Sequence, residues 1–144
     1  MTTAAEQLET FLQRVPYVRF LGMQAELAGD EMTAILPVSP HLIGNTYIPA
    51  LHGGVIGAFL EMTALAQLSV AEPARRMPKT IDVTIEYLRP GFGGRTSYAR
   101  ADLRKVGRRI ANVHVEAWQD DRSKPVATAN AHFLIKSDDA PPSL

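Results

Sequence analysis

The sequence predicts an α+β fold in which an antiparallel sheet of about five or six strands wraps around one long central helix. Three observations predict it. Residues 53–71 form a helix-length stretch that is apolar nearly all round. Four later segments alternate apolar and polar residues with a period of two. The inner faces of those segments are rich in Ala and Ser, small enough to let a helix lie close against a sheet.

Taken in order, residues 4–14 carry Leu8, Phe11 and Leu12 at helical spacing, and Pro16, which has no N–H to offer a helix interior, stops that helix. Residues 21–28 and 31–38 read as two strands joined at the turn dipeptide Gly29-Asp30. Residues 39–52, with Pro40, Gly44, Asn45 and Pro49, read as a loop. The long helix follows, carrying Val55, Ile56, Phe59, Leu60, Leu65 and Leu68, and it must be buried on most sides. Glu61, Thr63 and Gln67 interrupt it, which argues against a membrane span, and Glu72-Pro73 ends it. In residues 80–87 every odd position is apolar and every even one polar. Ser97, Ala99, Ala101 and Leu103 share one face of the next strand; Ala111, Val113, Val115 and Ala117 share one in the strand after it. Ala127, Ala129, Ala131, Phe133 and Ile135 do so in the last, with hairpin turns at Gly107 and at Asp120-Asp121. The 144 residues suit one domain, with its core over residues 20–136 and a flexible tail at 137–144.

Composition removes several classes of function. Fifteen basic residues balance fifteen acidic ones, so no global field attracts nucleic acid or an anionic membrane, and neither is expected as a partner. The absence of cysteine excludes disulfides, thiolate metal sites and Cys nucleophiles. The first residues lack the basic and apolar regions of a secretory signal, so a soluble cytoplasmic protein is expected. His114 and His132 fall on the polar faces of strands, His41 reads as surface, and there is no H-x-x-x-H, so no metal is expected. No G-x-S-x-G supports a Ser-His-Asp hydrolase, and no glycine-rich nucleotide fingerprint follows a strand, so no cofactor is expected. Arg75, Arg76 and Lys79 read as plain surface, and Trp118 as outward-facing.

Two features of the long helix point to chemistry. It begins His52-Gly53-Gly54, and two glycines at a helix start expose backbone N–H groups at the positive end of the helix dipole. Such donors stabilise the oxyanion that forms when a carbonyl is attacked, although glycines there also permit close packing. Glu61 lies between Leu60 and Met62 on an otherwise apolar helix, where a carboxylate is costly unless paired or used. Gly57 and Gly54, four and seven residues before it, leave a bare face with room for a ligand. A structural ion pair, or an exposed stripe of helix, would equally explain a lone glutamate.

The segment Asn45-Thr46-Tyr47-Ile48-Pro49-Ala50-Leu51-His52-Gly53-Gly54, with Glu61 nine residues after His52, resembles the signature of the PaaI-type hotdog-fold acyl-CoA thioesterases. The segments from Thr80 to Pro90 and from Val106 to Arg109 are similar to that family's other marks. The resemblance implies a hotdog fold and hydrolysis of an acyl-CoA to a carboxylic acid and free CoA. It implies Glu61 as nucleophile or general base, the Gly54 N–H polarising the thioester carbonyl, and Asn45 and His52 positioning the water or the carbonyl. The loop after Asn45 is one residue longer than the common form, so Thr46 is the alternative to Asn45. Many members carry a Ser or Thr one turn after the acid, where this chain has Ala64 and Leu65. For the nucleotide the resemblance implies Thr80, Tyr87, Leu88, Arg89, Pro90, Lys105, Val106, Gly107, Arg108 and Arg109; arginine clusters suit the phosphates of CoA. It also implies a homodimer with shared sites, paired into a homotetramer. Distance leads to the same dimer, because Gly54 and Glu61 stand about 10 Å apart along one helix and cannot act on one carbonyl from one chain. Two other readings stay open: a non-catalytic acyl-thioester-binding protein, and a hotdog enoyl-CoA hydratase.

Overall fold

The computed structural model describes residues 3–72 and 77–135. Helix α1 spans Ala4–Arg14, and Thr3 caps it by accepting the Glu6 N–H at 3.1 Å. Pro16 does end α1, but it also opens a second helix, α2 (Pro16–Leu21), because its fixed φ suits the first helical position. Gly22, in the left-handed region at φ 75°, caps α2. The strand expected from residue 21 therefore begins only at β1 (Gln24–Ala28), which turns through Gly29 at φ 66° into β2 (Glu31–Leu36). The expected loop over 39–52 is partly ordered, with a 3₁₀ turn at Pro40–Leu42 and a small hairpin of β3 (Ile43–Asn45) and β4 (Ala50–Leu51). Helix α3 spans Gly53–Ala71, and β5 (Lys79–Tyr87), β6 (Ser97–Val106), β7 (Ile110–Trp118) and β8 (Ala127–Leu134) complete the fold. Pro73, Arg75, Arg76 and the tail at 137–144 lie outside the described residues.

The six long strands form one antiparallel sheet in the order β1-β2-β6-β7-β8-β5. Helix α3 touches β2, β6, β7, β8 and β5, so the sheet curls around it. Twelve of its nineteen residues are buried, which accounts for a helix apolar and long enough to cross a membrane. Close approach depends on the alanine stripe: Ala99, Ala111, Ala117, Ala127, Ala129 and Ala131 are all buried beneath the helix. Gln67 is the helix's buried amide and is satisfied at both ends. Its Oε1 accepts the Met32 N–H at 3.0 Å and its Nε2 donates to the Asp30 carbonyl at 2.9 Å, tying α3 to the β1–β2 turn.

The outer face of the sheet is polar, as the alternation predicts. His132 pairs with Asp82 at 2.7 Å, and Trp118 stacks on Tyr98 beneath Arg122. In the β7–β8 connection the Ser123 hydroxyl and N–H donate to Asp121, and together they hold its carboxyl below the usual carboxylate range. Two bulges break the alternation, at Ile81 in β5 and at Arg104 in β6.

The hairpin β3–β4 is packed so that a side chain at Gly44 would collide with the Cα of His52, 2.6 Å from the added carbon. Gly44→Ala is expected to displace His52 and lower stability by about 1–3 kcal/mol. Gly94→Ala, which meets open space, should leave it within about 0.5 kcal/mol. Urea unfolding of the two variants checks this.

Candidate active site

The β5 bulge places the first element of the site. Strict alternation would put Thr80 on the outer face beside Asp82. Ile81 is the extra residue, so Thr80 pairs with inward-facing Phe133 while Asp82 pairs with outward-facing His132. Thr80 therefore faces α3, and its hydroxyl donates to Glu61 Oε2 at 2.8 Å. Glu61 is half-buried on the stretch of α3 that meets this edge strand. Among the described residues the carboxylate is in no ion pair and its one hydrogen bond is to this hydroxyl, and it is not fully exposed. Thr80, expected among the nucleotide contacts, lies on the carboxylate. It sets a hydroxyl beside the carboxylate, where Ala64 and Leu65, one turn on, have none.

The second element is the start of α3. His52 is its N-cap, and the imidazole Nδ1 accepts the Gly54 N–H at 2.9 Å. The donor expected to polarise a carbonyl is thus taken by the neighbouring side chain. The Val55 and Ile56 N–H groups both donate to the His52 carbonyl. The exposed Gly53 N–H donates to nothing among the described residues and is the free donor at this helix start. Tyr87 braces it, donating from its phenol to the Gly53 carbonyl at 2.7 Å. Asn45, at the end of β3, is exposed and accepts the Tyr47 N–H at 2.9 Å; Thr46 is exposed beside it.

The face between these elements is not bare. A Cβ on Gly57 would lie 2.8 Å from Ile85 Cδ1 and 3.3 Å from the Tyr87 hydroxyl, so Gly57 serves to seat α3 on β5. The ligand space expected there is filled by this chain's own strand.

The residues expected to hold the nucleotide do not converge. Leu88 and Arg89 donate their N–H groups to the Val126 carbonyl, the Arg89 guanidinium donates to the Pro125 carbonyl, and Pro90 follows them past the Tyr87 end of β5. Lys105, Val106, Gly107, Arg108 and Arg109 form the β6–β7 hairpin, where Gly107 donates to the Ile110 carbonyl and the Arg109 carbonyl accepts from Ile135. Through the register Ile110–Leu134–Lys79 this hairpin lies at the other end of β5. Eight residue steps separate the two ends, about 26 Å. One chain thus carries Glu61, Thr80 and the basic hairpin toward one end, and Gly53, Asn45, Tyr87 and Arg89 at the other. No group of three or more His, Asp or Glu side chains that could hold a metal occurs among the described residues.

A family model described as the thioesterase superfamily matches residues 49–126, more than half of the chain. The medium/long-chain acyl-CoA thioesterase YigI of Escherichia coli K12 is 30% identical over 141 residues, covering 88% of this chain and 90% of the relative. A crystal structure of a Chromobacterium violaceum protein is 37% identical, with TM-score 0.72 over 94% of this chain and 96% of that one. The Escherichia coli PaaI protein, from a phenylacetic acid degradation operon, shares the fold at TM-score 0.78 over 91% of each chain, at 19% identity.

Threonine 80 supplies the test of this geometry. Removing its hydroxyl in the isosteric Thr80→Val variant should lower kcat on a thioester substrate about 10-fold to 100-fold, the worth of a hydrogen bond to a charged group. Thr80→Ser should keep most of the rate. Equal rates for the valine and wild-type proteins would show that the hydroxyl contributes nothing to the chemistry.

Proposed function

This chain belongs to the thioesterase superfamily, as a hotdog-fold thioester hydrolase of the PaaI type, and from that premise we propose that it hydrolyses medium- or long-chain acyl-CoA at a site built between two copies of itself. The observation that carries the reading is the half-buried Glu61 carboxylate held by the Thr80 hydroxyl on an apolar helix. The acyl class follows the medium/long-chain acyl-CoA activity for which the YigI relative is named.

In the proposed reaction the thioester carbonyl oxygen accepts the Gly53 N–H at the helix start, where the dipole favours the developing negative charge. Glu61 takes a proton from water, whose oxygen attacks the carbonyl carbon, or attacks that carbon itself and is released by water in a second step. Either way the C–S bond breaks, the proton passes to the departing CoA sulfur, and the products are a carboxylic acid and free CoA. Thr80 orients the carboxylate. Asn45 acts from the Gly53 side, and His52 acts by occupying Gly54.

Distance requires two chains for this chemistry. Gly53 and Glu61 are eight residues apart, about 12 Å along one helix, so one carbonyl cannot reach both within a chain. Strand β5 is an edge strand nine residues long, with its outer backbone groups unpaired and Ile81 and Tyr87 half-exposed. Pairing β5 with its own copy about a two-fold axis supports the reading. It sets the helices antiparallel, brings Gly53 of one chain to Glu61 of the other, and brings Arg89 of one toward the basic hairpin of the other.

Glu61→Gln, which keeps shape and removes the base or nucleophile, should lower kcat about 10²–10⁴-fold with the fold intact by circular dichroism. A variant retaining more than about a third of the rate would leave Glu61 without a catalytic role. The two-chain site is checked by co-expressing Glu61→Ala with Asn45→Ala. Mixed dimers place both lesions in one site and leave the other whole, so roughly a quarter of wild-type activity should return. No recovery in demonstrated mixed dimers would mean that the site is built within one chain.

A further inference from the structure

The hairpin β3–β4 carries Asn45 and runs through Leu51 into His52 and the start of α3, yet it forms a two-stranded sheet of its own. Two short strands alone are marginal in water, so the place of this hairpin must be set from outside. Among the described residues, its backbone is hydrogen-bonded to a single segment beyond residues 39–52. The Leu51 N–H donates to the Gly91 carbonyl at 2.8 Å and the Gly93 N–H donates to the Pro49 carbonyl at 2.6 Å, with Ala50 bridged to Phe92 between them. The approach is close. A Cβ on Gly91 would lie 3.3 Å from Leu51 Cδ1 and from Ile56 Cδ1 of α3, and one on Gly93 would collide with Ile43.

Gly91 and Gly93 turn their bonding groups to the hairpin, which leaves those of Phe92 on the opposite edge of the segment. Among the described residues no strand pairs that edge. The side-chain amide of Gln119, the residue after β7, takes the place of one. Its Oε1 accepts the Phe92 N–H at 3.0 Å and its Nε2 donates to the Phe92 carbonyl at 2.8 Å, as a neighbouring strand would. Nε2 also lies 3.2 Å from the Ser97 hydroxyl and 3.4 Å from the Arg95 carbonyl. Gln119 is 8% exposed, and the Phe92 N–H admits only an acceptor, which fixes the way the amide points. Burying an amide is costly unless its groups are met, and here they are. A line of hydrogen bonds therefore runs from the end of β7 through Phe92 to β4, and from there to Asn45 and the helix start.

We propose that Gln119 is a positioning residue of the thioesterase site: by pinning Phe92 it holds the β3–β4 hairpin, and so sets Asn45 and the Gly53 N–H against the thioester carbonyl. The proposal rests on the two-chain thioesterase reading above and deepens it. Gln119 touches no reacting atom and serves one half of the site. Its bonds lead to the helix start, whereas Glu61 is held by Thr80 of β5.

Gln119→Met keeps the length of the side chain and removes both bonds to Phe92. Gln119→Glu keeps the acceptor, loses the donor, and carries the test alone should the first variant fail to fold. Amide hydrogen exchange at Leu51 and Gly93, whose N–H groups make the two bonds to the hairpin, should quicken about 10-fold or more in Gln119→Met, with the β7–β8 ladder unchanged. On dodecanoyl-CoA kcat should fall roughly 10-fold to 100-fold, as small displacements of reacting groups do, while the carboxylate limb of the pH profile stays in place. Gln119→Glu should show both effects to a smaller degree. Co-expression gives a readout that a mere loss of stability would not move. Gln119→Met with Glu61→Ala leaves one site whole in each mixed dimer, so roughly a quarter of wild-type activity should return. Gln119→Met with Asn45→Ala damages the same half of both sites and should give no more than its parents. Recovery with Asn45→Ala instead, wild-type kcat in both variants, or unchanged exchange at Leu51 and Gly93 each overturns the proposal. If Gln119→Met recovers with neither partner while Glu61→Ala and Asn45→Ala recover together, the amide is structural only and the two-chain reading stands. If wild type cleaves no CoA ester, or that control pair fails, the thioesterase or the two-chain reading falls, and exchange at Leu51 and Gly93 alone decides whether Gln119 holds the hairpin.

Discussion

A helix can lie in the hollow of a curled sheet only if the surfaces between them are small, and the rest of this structure follows from that contact. The alanine stripe of β6, β7 and β8 supplies the floor, and Gly57 lets Ile85 press against the helix from the edge. Side chains one methylene larger at these places would hold α3 off the sheet, because packed interiors do not yield to added volume. With its inner faces closed, α3 stays partly open at Ala58, Glu61 and Met62 in its middle, at the glycines of its start, and at Ser69 and Ala71 near its end. The first two of these places carry the groups that the proposed chemistry uses. The carboxylate and the free N–H sit in one each.

The confinement also explains why the ends of β5 differ. The strand runs antiparallel to α3, so Tyr87 braces the helix start while Thr80 meets Glu61. A single chain separates what a thioester reaction would need together, and it does so for the nucleotide as well, with Arg89 at one end and the basic hairpin at the other. Under the proposed two-fold pairing of β5 both separations close by one operation. A carboxylate reading and a nucleotide-binding reading that each look incomplete within one chain are then halves of the same arrangement. In that arrangement symmetry does what a longer chain with a second domain would otherwise have to do.

Much of this was legible in the sequence, and what was not has local causes. The long helix is recovered at its exact bounds because its apolar character and its His-Gly-Gly start coincide. The inward stripes of β6, β7 and β8 follow from period two. Helix α2 escaped because Pro16 carries two meanings, a stop for one helix and a start for the next, and pattern alone weighs only the first. The contact of Thr80 with Glu61 escaped for a deeper reason. A bulge changes which face every residue beyond it occupies, and nothing in Pro78-Lys79-Thr80-Ile81-Asp82 announces one. The face expected to be bare misled in the opposite sense. Glycine spacing shows where a surface lacks side chains, but not whether a ligand or a neighbouring strand fills the space.

The helix start shows how finely such readings depend on hydrogen-bond accounting. A helix begins with N–H groups that have no partner in the helix, and each must go to a cap, to water or to a ligand. Here the division is definite: Val55 and Ile56 turn to the His52 carbonyl and Gly54 to the His52 ring, while Gly53 remains. His52 thus does two things from one position. Its side chain holds the first turn together, and by taking Gly54 it leaves the open donor at the outermost residue, where an incoming carbonyl oxygen meets no atom of the helix. A cap that reached the first glycine instead would block that approach with its own imidazole. The second of the two glycines makes room for the ring, whose Nδ1 lies only 2.9 Å from where a Cβ on Gly54 would be, and in the proposed reaction the first leaves the backbone open to the carbonyl oxygen.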